Sequence, residues 1–230
     1  LKNVRRGDVL VNFPYQTFNH FVDFLREAAI DPKVTNIYIT LYRTAEHSKV
    51  INTLVNAARN GKHVVALIEL LARFDEEQNM DSVRTLHRAG VKVLNGIRDL
   101  KVHAKMALVE RKEGHEHRGY AYIGTGNLNE TTARLYSDMG LFTSHPEIVN
   151  DARSIFSFLL NTHKHFTCKR LLAAPYYMRQ YFTELIEKEI RNAKKGLPAY
   201  IHAKGNTRTD EKMIRHPNMA SQAGVEVKMI

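Results

Sequence analysis

Apolar positions recur along this chain with two alternating periods, one near 3.6 residues and one near 2. Between Tyr15 and Ala29, the residues Phe18, Phe21, Val22, Leu25 and Ala29 fall on one helical face, and Asp31-Pro32 ends the segment. Asn36 to Leu41 is an apolar run of buried-strand length. His47 to Asn60 places Val50, Ile51, Leu54, Val55 and Ala58 on one side of a helix that Gly61 closes, and His63 to Leu70 is a second apolar strand. A helix over Asp81 to Ala89, closed by Gly90, leads into a short strand from Val91 to Leu94. Lys101 to Val109 alternates, Glu110 to Arg118 reads as a charged loop, and Gly119 to Gly124 resumes a strand, giving a hairpin with a long tip. Asp138 to Thr143 is a further strand. Pro146 to Asn161 is a helix that turns Ile148, Val149, Ile155, Phe156 and Leu159 inward. Strands alternating with helices of this length predict a layered α/β domain.

Near residue 165 the pattern restarts. A basic joint from His163 to Arg170 precedes a long amphipathic helix over Pro175 to Lys195. Strand-like Ala199 to Lys204, helical Asp210 to Ile214 and strand-like Ala223 to Val227 follow. Lys49-Val50-Ile51 stands twelve residues before Gly61, and Lys212-Met213-Ile214 stands twelve before Gly224. The preceding strands share that offset, so the chain divides into a first domain over 1–168 and the start of a duplicate over 169–230. Pro217 falls where the repeat wants mid-helix and is expected to break or kink it. The opening at Leu1 and the close inside the strand pattern Val225 to Ile230 read as a piece of a longer chain.

Composition narrows the class. Hydrophobic residues at 43% and charged residues at 25% of 230 exclude wholesale disorder, and no run of eighteen apolar residues provides a transmembrane segment. A single cysteine, Cys168, excludes an internal disulfide framework and suits a reducing, cytoplasmic compartment. The formal charge of +10 points to a polyanionic partner, although solubility alone would also account for it.

The chemistry concentrates in Val102-His103-Ala104-Lys105 and Gly124-Thr125-Gly126-Asn127-Leu128-Asn129. On a strand, His103 and Lys105 would share one face, with Val102, Ala104 and Met106 on the other. Such a pair suits a phosphate: a neutral imidazole can attack phosphorus while an ammonium holds phosphoryl oxygens. Asn127 follows a Gly-x-Gly turn that lets backbone amides and a carboxamide approach an anion. The bland alternative is an edge strand carrying two solvated polar residues.

His-x-Lys followed by Gly-Thr-x-Asn resembles the half-site of the phospholipase D superfamily, in which two half-sites meet and react through a phosphohistidine. The usual Asp five residues after the Lys is Glu110 here. More specific stretches are Asn12 to Phe18, Ile39 to Arg43, Glu69 to Glu77, Leu100 to Lys105, Gly124 to Glu130 and Leu135 to Thr143. These resemble the polyphosphate kinase family over nearly the whole chain. The resemblance implies a phospholipase D-like layered α/β domain, a mixed sheet flanked by helices, followed by the truncated start of a second.

The resemblance also implies roles. His103 matches the histidine that is phosphorylated; Lys105 and Asn127 complete the catalytic half-site, and Asn129 holds anions beside them. Arg43 and Arg73 match the arginines of a phosphate–Mg2+ site, and Tyr136 matches a nucleotide contact. An always-protonated arginine is no metal ligand, so Arg43 and Arg73 would reach Mg2+ through shared phosphate oxygens, with Asp75 or Glu76 as candidates for direct contact. Without the resemblance, Arg43 reads as a solvated strand-end residue, Arg73 as a local ion pair with its acidic neighbours, and Tyr136 as a core or rim aromatic. His115 and His117 read as solvated, and His163 and His165 as a basic joint.

The implied activity is reversible transfer of the terminal phosphoryl group of ATP to inorganic polyphosphate through His103. Implied partners are ATP, ADP and polyphosphate, with Mg2+ as cofactor, no nucleic acid, and a homo-oligomer in the full-length protein. The implied location is the cytoplasm, free or membrane-associated. The piece alone is expected to turn over weakly or not at all, since the second histidine would lie beyond residue 230. Two rival classes are a phosphodiesterase or nuclease pairing His-x-Lys half-sites, and a noncatalytic polyanion-binding module.

Overall fold

Both faces of the apolar runs Asn36 to Leu41 and His63 to Ile68 are covered, as expected of strands inside a sheet with helices on each side. A computed structural model describes residues 1–69, 77–97, 100–205 and 209–230, and the backbone of Glu76. The expected site residue Arg73, together with Asp75 and most of the motif around them, lies outside the described residues. Those described group into two compact units, Leu1–Leu171 and Leu172–Ile230.

The first unit runs α1 (Lys2–Arg6), β1 (Val9–Phe13), α2 (Asn19–Ile30), β2 (Val34–Leu41), α3 (Lys49–Arg59), β3 (His63–Ile68), α4 (Glu76–Arg88) and β4 (Lys92–Asn95). It continues with β5 (Lys105–Glu113), β6 (Glu116–Gly124), β7 (Asp138–Thr143) and α5 (Pro146–Leu160). Its sheet has the order β1-β7-β6-β5-β2-β3-β4, with β2, β3 and β4 parallel and the other neighbours antiparallel. On one face pack α2 and α3, burying Phe21, Leu25, Leu54 and the strand residues Ile37 and Ile39 completely. On the other, α5 buries Val149, Ala152 and Phe156 against Leu108 and Ala121. The side chain of Ser48 caps α3 by accepting from the amides of Val50 and Ile51.

Four expectations change. The pattern read from the sequence begins at Tyr15, yet the residues before it form α1 and β1 and bury Leu1, Val4, Val11 and Phe13. Helix α4 starts five residues before the expected Asp81. The charged stretch Glu110 to Arg118 is no long tip but the end of one strand and the start of the next, joined through Gly114-His115. Its charges pair with one another: Arg111 bonds Asp31 at 2.8 Å and Glu113 at 2.9 Å, and Tyr120 donates to Glu113 at 2.8 Å. Burial pushes the Tyr120 hydroxyl up to about 12, and the Glu113 carboxylate beside it adds to the shift. Fourth, β5 begins at Lys105, so His103 precedes the strand rather than lying in it. Ala104 is exposed while Val102 and Lys105 are buried, and simple alternation fails there.

The second unit contains α6 (Met178–Lys194), β8 (Tyr200–Ala203), α7 (Glu211–Gln222) and β9 (Glu226–Met229). Strands β8 and β9 pair in parallel with α7 between them, the same arrangement as β2, α3 and β3. Asp210 caps α7 by accepting from the Met213 amide. Pro217 is buried within this helix, which continues through it, so the break that the sequence allows for does not occur. Proline there removes one amide donor, and the packing around Ala220 and Val225 outweighs that loss. No helix among the described residues is long and apolar enough to cross a membrane.

Candidate active site

Strand direction decides where the sequence motifs meet. Parallel β2 and β3 end at one edge of the sheet. Antiparallel β5 starts at that edge, β6 ends there with Gly124 opposite Lys105, and β7 starts there. Residues Tyr42 and Arg43 after β2, Glu69 after β3, His103 to Lys105 at β5, Asn127 and Asn129 after β6, and Asp138 at β7 are thus brought to one rim. This is the position where open α/β sheets hold ligands. Lys105 lies on the fourth strand of seven, which excludes the solvated edge-strand reading of His103 and Lys105.

The segment carrying His103 is fastened on both sides. The Val102 amide donates to Glu69 Oε2 at 3.3 Å, and Thr40 Oγ1 donates to the Ala104 carbonyl at 2.7 Å while accepting from the Met106 amide at 3.1 Å. Between these ties the His103 side chain is exposed, with its ring edge-on to Tyr42 at 4.7 Å. Partial desolvation, then the charges of Lys105, Lys101 and Arg43, hold its pKa below the ordinary histidine value. The imidazole is therefore neutral at pH 7, with a lone pair free on one nitrogen.

Lys105 is 7% exposed, and its ammonium donates to the His103 carbonyl at 2.6 Å. Burial pushes its pKa down to about 8; the Asp138 carboxylate opposes that shift, and Lys101 and Arg43 add to it. Asp138 in turn accepts from Thr125 Oγ1 at 2.8 Å. The Gly-x-Gly spacing has a steric reason here. A Cβ at Gly126 would lie 2.2 Å from Asp138 Oδ2, and one at Gly124 would lie 2.8 Å from the Tyr122 ring.

The remaining expected residues are placed unequally. Asn127 Oδ1 is buried with no hydrogen-bond partner among the described residues. Asn129 is buried, and its Oδ1 accepts from the Thr131 and Thr132 amides at 2.9 and 3.1 Å, opening the 3-10 turn Thr132–Arg134. Tyr136 follows that turn and is 61% exposed, a rim rather than a core aromatic. Glu110 stands away from the rim, five residues along β5. There it accepts from Arg153 Nε and Nη2 at 2.6 and 2.8 Å, tying α5 to the sheet.

Sequence reasoning missed Tyr42, Asn79 and Asp138. Asn79 on α4 is fully buried. Its carboxamide donates to the Tyr42 and Glu69 carbonyls at 3.1 and 2.9 Å and accepts from the Thr44 amide and hydroxyl at 3.1 and 3.0 Å. Nothing in a helical sequence window marks that role; Tyr42, next to Arg43, carried at least the signal of position.

Similarity to known proteins agrees with this arrangement. The family model described as polyphosphate kinase C-terminal domain 1 matches residues 1–165, and that described as C-terminal domain 2 matches residues 171–230. The chain is 43% identical to a polyphosphate kinase of Salmonella typhimurium over 227 residues and 45% identical to one of Synechocystis over 228 residues, in each case 99% of its length. It spans about a third of the length of these curated relatives. The crystal structure of polyphosphate kinase from Porphyromonas gingivalis superposes with a TM-score of 0.88 at 42% identity, covering 99% of this chain and 38% of that one. The phospholipase D family member Nuc of Salmonella typhimurium shares the fold alone, with a TM-score of 0.52 at 14% identity, covering 71% of this chain and 99% of that one. Family models over nearly every residue, relatives matched along 99% of this chain and a rim built around His-x-Lys lead to one conclusion: this chain belongs to the polyphosphate kinase family.

Proposed function

We propose that the rim is one half of a phosphoryl-transfer site that moves the terminal phosphoryl group of ATP to inorganic polyphosphate, and back, through a phosphohistidine at His103. The observation that carries this reading is an exposed, neutral imidazole standing among Lys101, Lys105 and Arg43. One imidazole nitrogen attacks the γ-phosphorus; a P–N bond forms, the P–O bond to the β-phosphate breaks, and ADP leaves with that electron pair. The terminal oxygen of polyphosphate then attacks the phosphohistidine, the P–N bond breaks, and the imidazole regains its lone pair. No net proton is consumed on the histidine, so it works without a strong base beside it.

The cations hold the phosphoryl oxygens as charge develops on them. Rotating the Asn127 amide exchanges its unpartnered buried oxygen for the NH2 donor that a phosphate accepts from. Asn129 serves by shaping the loop, since its own oxygen is spent on backbone amides. Exposed Tyr136 offers a ring face to the nucleotide base. Arg73 joins Arg43 on phosphate oxygens in this reading.

Mg2+ enters differently from a resident metal. Among the described residues no group of three or more His, Cys, Asp or Glu side chains could hold a metal ion. Asp75 and the Glu76 side chain, the candidates for direct contact, lie outside those residues, and Mg2+ is read as arriving on the substrate phosphates as MgATP.

The chain's share of its relatives' length supports reading it as part of a longer kinase whose second half-site lies elsewhere. The 230 residues alone would then turn over weakly or not at all. The test is acid-labile labelling of the kinase containing these residues, with γ-labelled ATP and Mg2+. Label is expected on the wild type and none on His103→Ala. Persistent labelling of that variant would clear His103. Hydrolysis of a phosphodiester without ATP would instead favour the nuclease-like alternative.

A further inference from the structure

Three basic side chains and a histidine crowd one ring. Lys105 Nζ lies 4.9 Å and Lys101 Nζ 5.1 Å from the centroid of the Tyr42 ring, Arg43 Cζ lies 5.9 Å away, and the His103 ring stands edge-on at 4.7 Å. Tyr42 is only 8% exposed, and its carbonyl is pinned by fully buried Asn79. Like charges this close repel one another, and Lys105 is desolvated as well.

The Asp138 carboxylate offsets part of this repulsion at Lys105, but a carboxylate also cancels positive charge and competes with phosphoryl oxygens for the same donors. An aromatic face attracts ammonium and guanidinium groups through its quadrupole and leaves their charge intact. We propose that Tyr42 is a positioning residue whose ring face gathers Lys101, Lys105 and Arg43 around His103 without cancelling their charge, so that the half-site is preorganised for an incoming phosphate. The proposal rests on the phosphohistidine reading above and adds a residue to it. Tyr42 acts through these neighbours and touches no reacting atom.

The ring's electrostatics can be separated from its volume. In the kinase containing these residues, Tyr42→Leu removes the face, Tyr42→Phe keeps it, and a ring-fluorinated phenylalanine at position 42 keeps the shape while draining the face of negative potential. The readout is the initial rate of acid-labile labelling from γ-labelled ATP across pH, with melting temperature alongside. The Leu variant and the fluorinated ring are each expected to lower the rate about tenfold, and Phe to restore what Leu loses. Loss of the ring's attraction favours neutral Lys105, so the alkaline limb should also move to lower pH in those two variants. The groups facing Lys105 there are Lys101, Arg43 and Asp138, with His103 beside them, and all are unchanged.

A fluorinated ring that labels as fast as Phe at every pH would overturn the proposal, and so would a Phe variant as slow as Leu, which would assign the role to the hydroxyl. If Leu simply melts early, the fluorinated ring decides. Failure of the parent reading looks different: the wild type itself would then carry no acid-labile label.

Discussion

Asn79 is the residue whose removal should most sharply separate loop anchoring from chemistry. Its carboxamide makes four hydrogen bonds at 2.9–3.1 Å in a fully buried position, two of them to the loop residue Thr44 and one each to the Tyr42 and Glu69 carbonyls. Asn79→Ala deletes all four, taking from the Thr44 amide and from the Tyr42 and Glu69 carbonyls the bonds that Asn79 makes to them. At about 1 kcal/mol net for each of the four bonds, the loss is about 4 kcal/mol. For a unit of this size that lowers melting by roughly 10 °C.

Asn79→Asp sharpens the test because it is nearly isosteric. The new carboxylate still accepts from Thr44 but turns a negative oxygen toward two carbonyls that need donors. Its folded pKa would lie above the ordinary value near 3.9, so the protonated form is favoured in the fold. The deficit relative to wild type should be small below the unfolded pKa and grow as pH rises above it. Circular-dichroism melts at pH 4 and pH 7 measure both effects. A wild-type melting temperature in Asn79→Ala, or a pH-independent gap in Asn79→Asp, would refute the account of this network.

Two further outcomes follow from the same reasoning. Lys105 has a folded pKa lowered to about 8 from 10.5, so it destabilises the fold while charged, and stability rises with pH between those values as the folded state sheds its proton first. Lys105→Met should therefore raise melting at pH 7 by about 2–4 °C while abolishing labelling of His103; unchanged or lower melting would contradict the burial penalty. Arg153→Met strands the buried Glu110 carboxylate and should cost about 2 kcal/mol. Adding Glu110→Leu should recover most of that, with labelling of His103 unaffected in a double-mutant cycle.

What could be read from sequence followed the strength of the local signal. Strands β2 and β3 and helix α3 are long, strongly patterned and bounded by Asp31-Pro32 and Gly61, and they appear where the pattern puts them. The stretch from Glu110 to Arg118 reads as a loop because its residues are charged, but those charges are satisfied across the hairpin by Arg111, Glu113 and Asp31. His103 and Lys105 are legible as a chemical pair from spacing alone. Their setting is not, because the strand begins only at Lys105 and the imidazole leans on the ring of Tyr42, just after β2. Tyr42, Asn79 and Asp138 are distant from the motif in sequence and come to it through sheet order, which no local window encodes.

The reversal of β5 against β2 has a practical side. Entering at the rim, β5 carries the chain away from His103 for nine residues before turning back at Gly114-His115. At about 3.3 Å per residue the far bend lies roughly 30 Å from the reacting end. Within this unit, that bend is where a fluorophore, an affinity tag or new chain termini could be grafted while the phosphate-handling rim keeps its geometry.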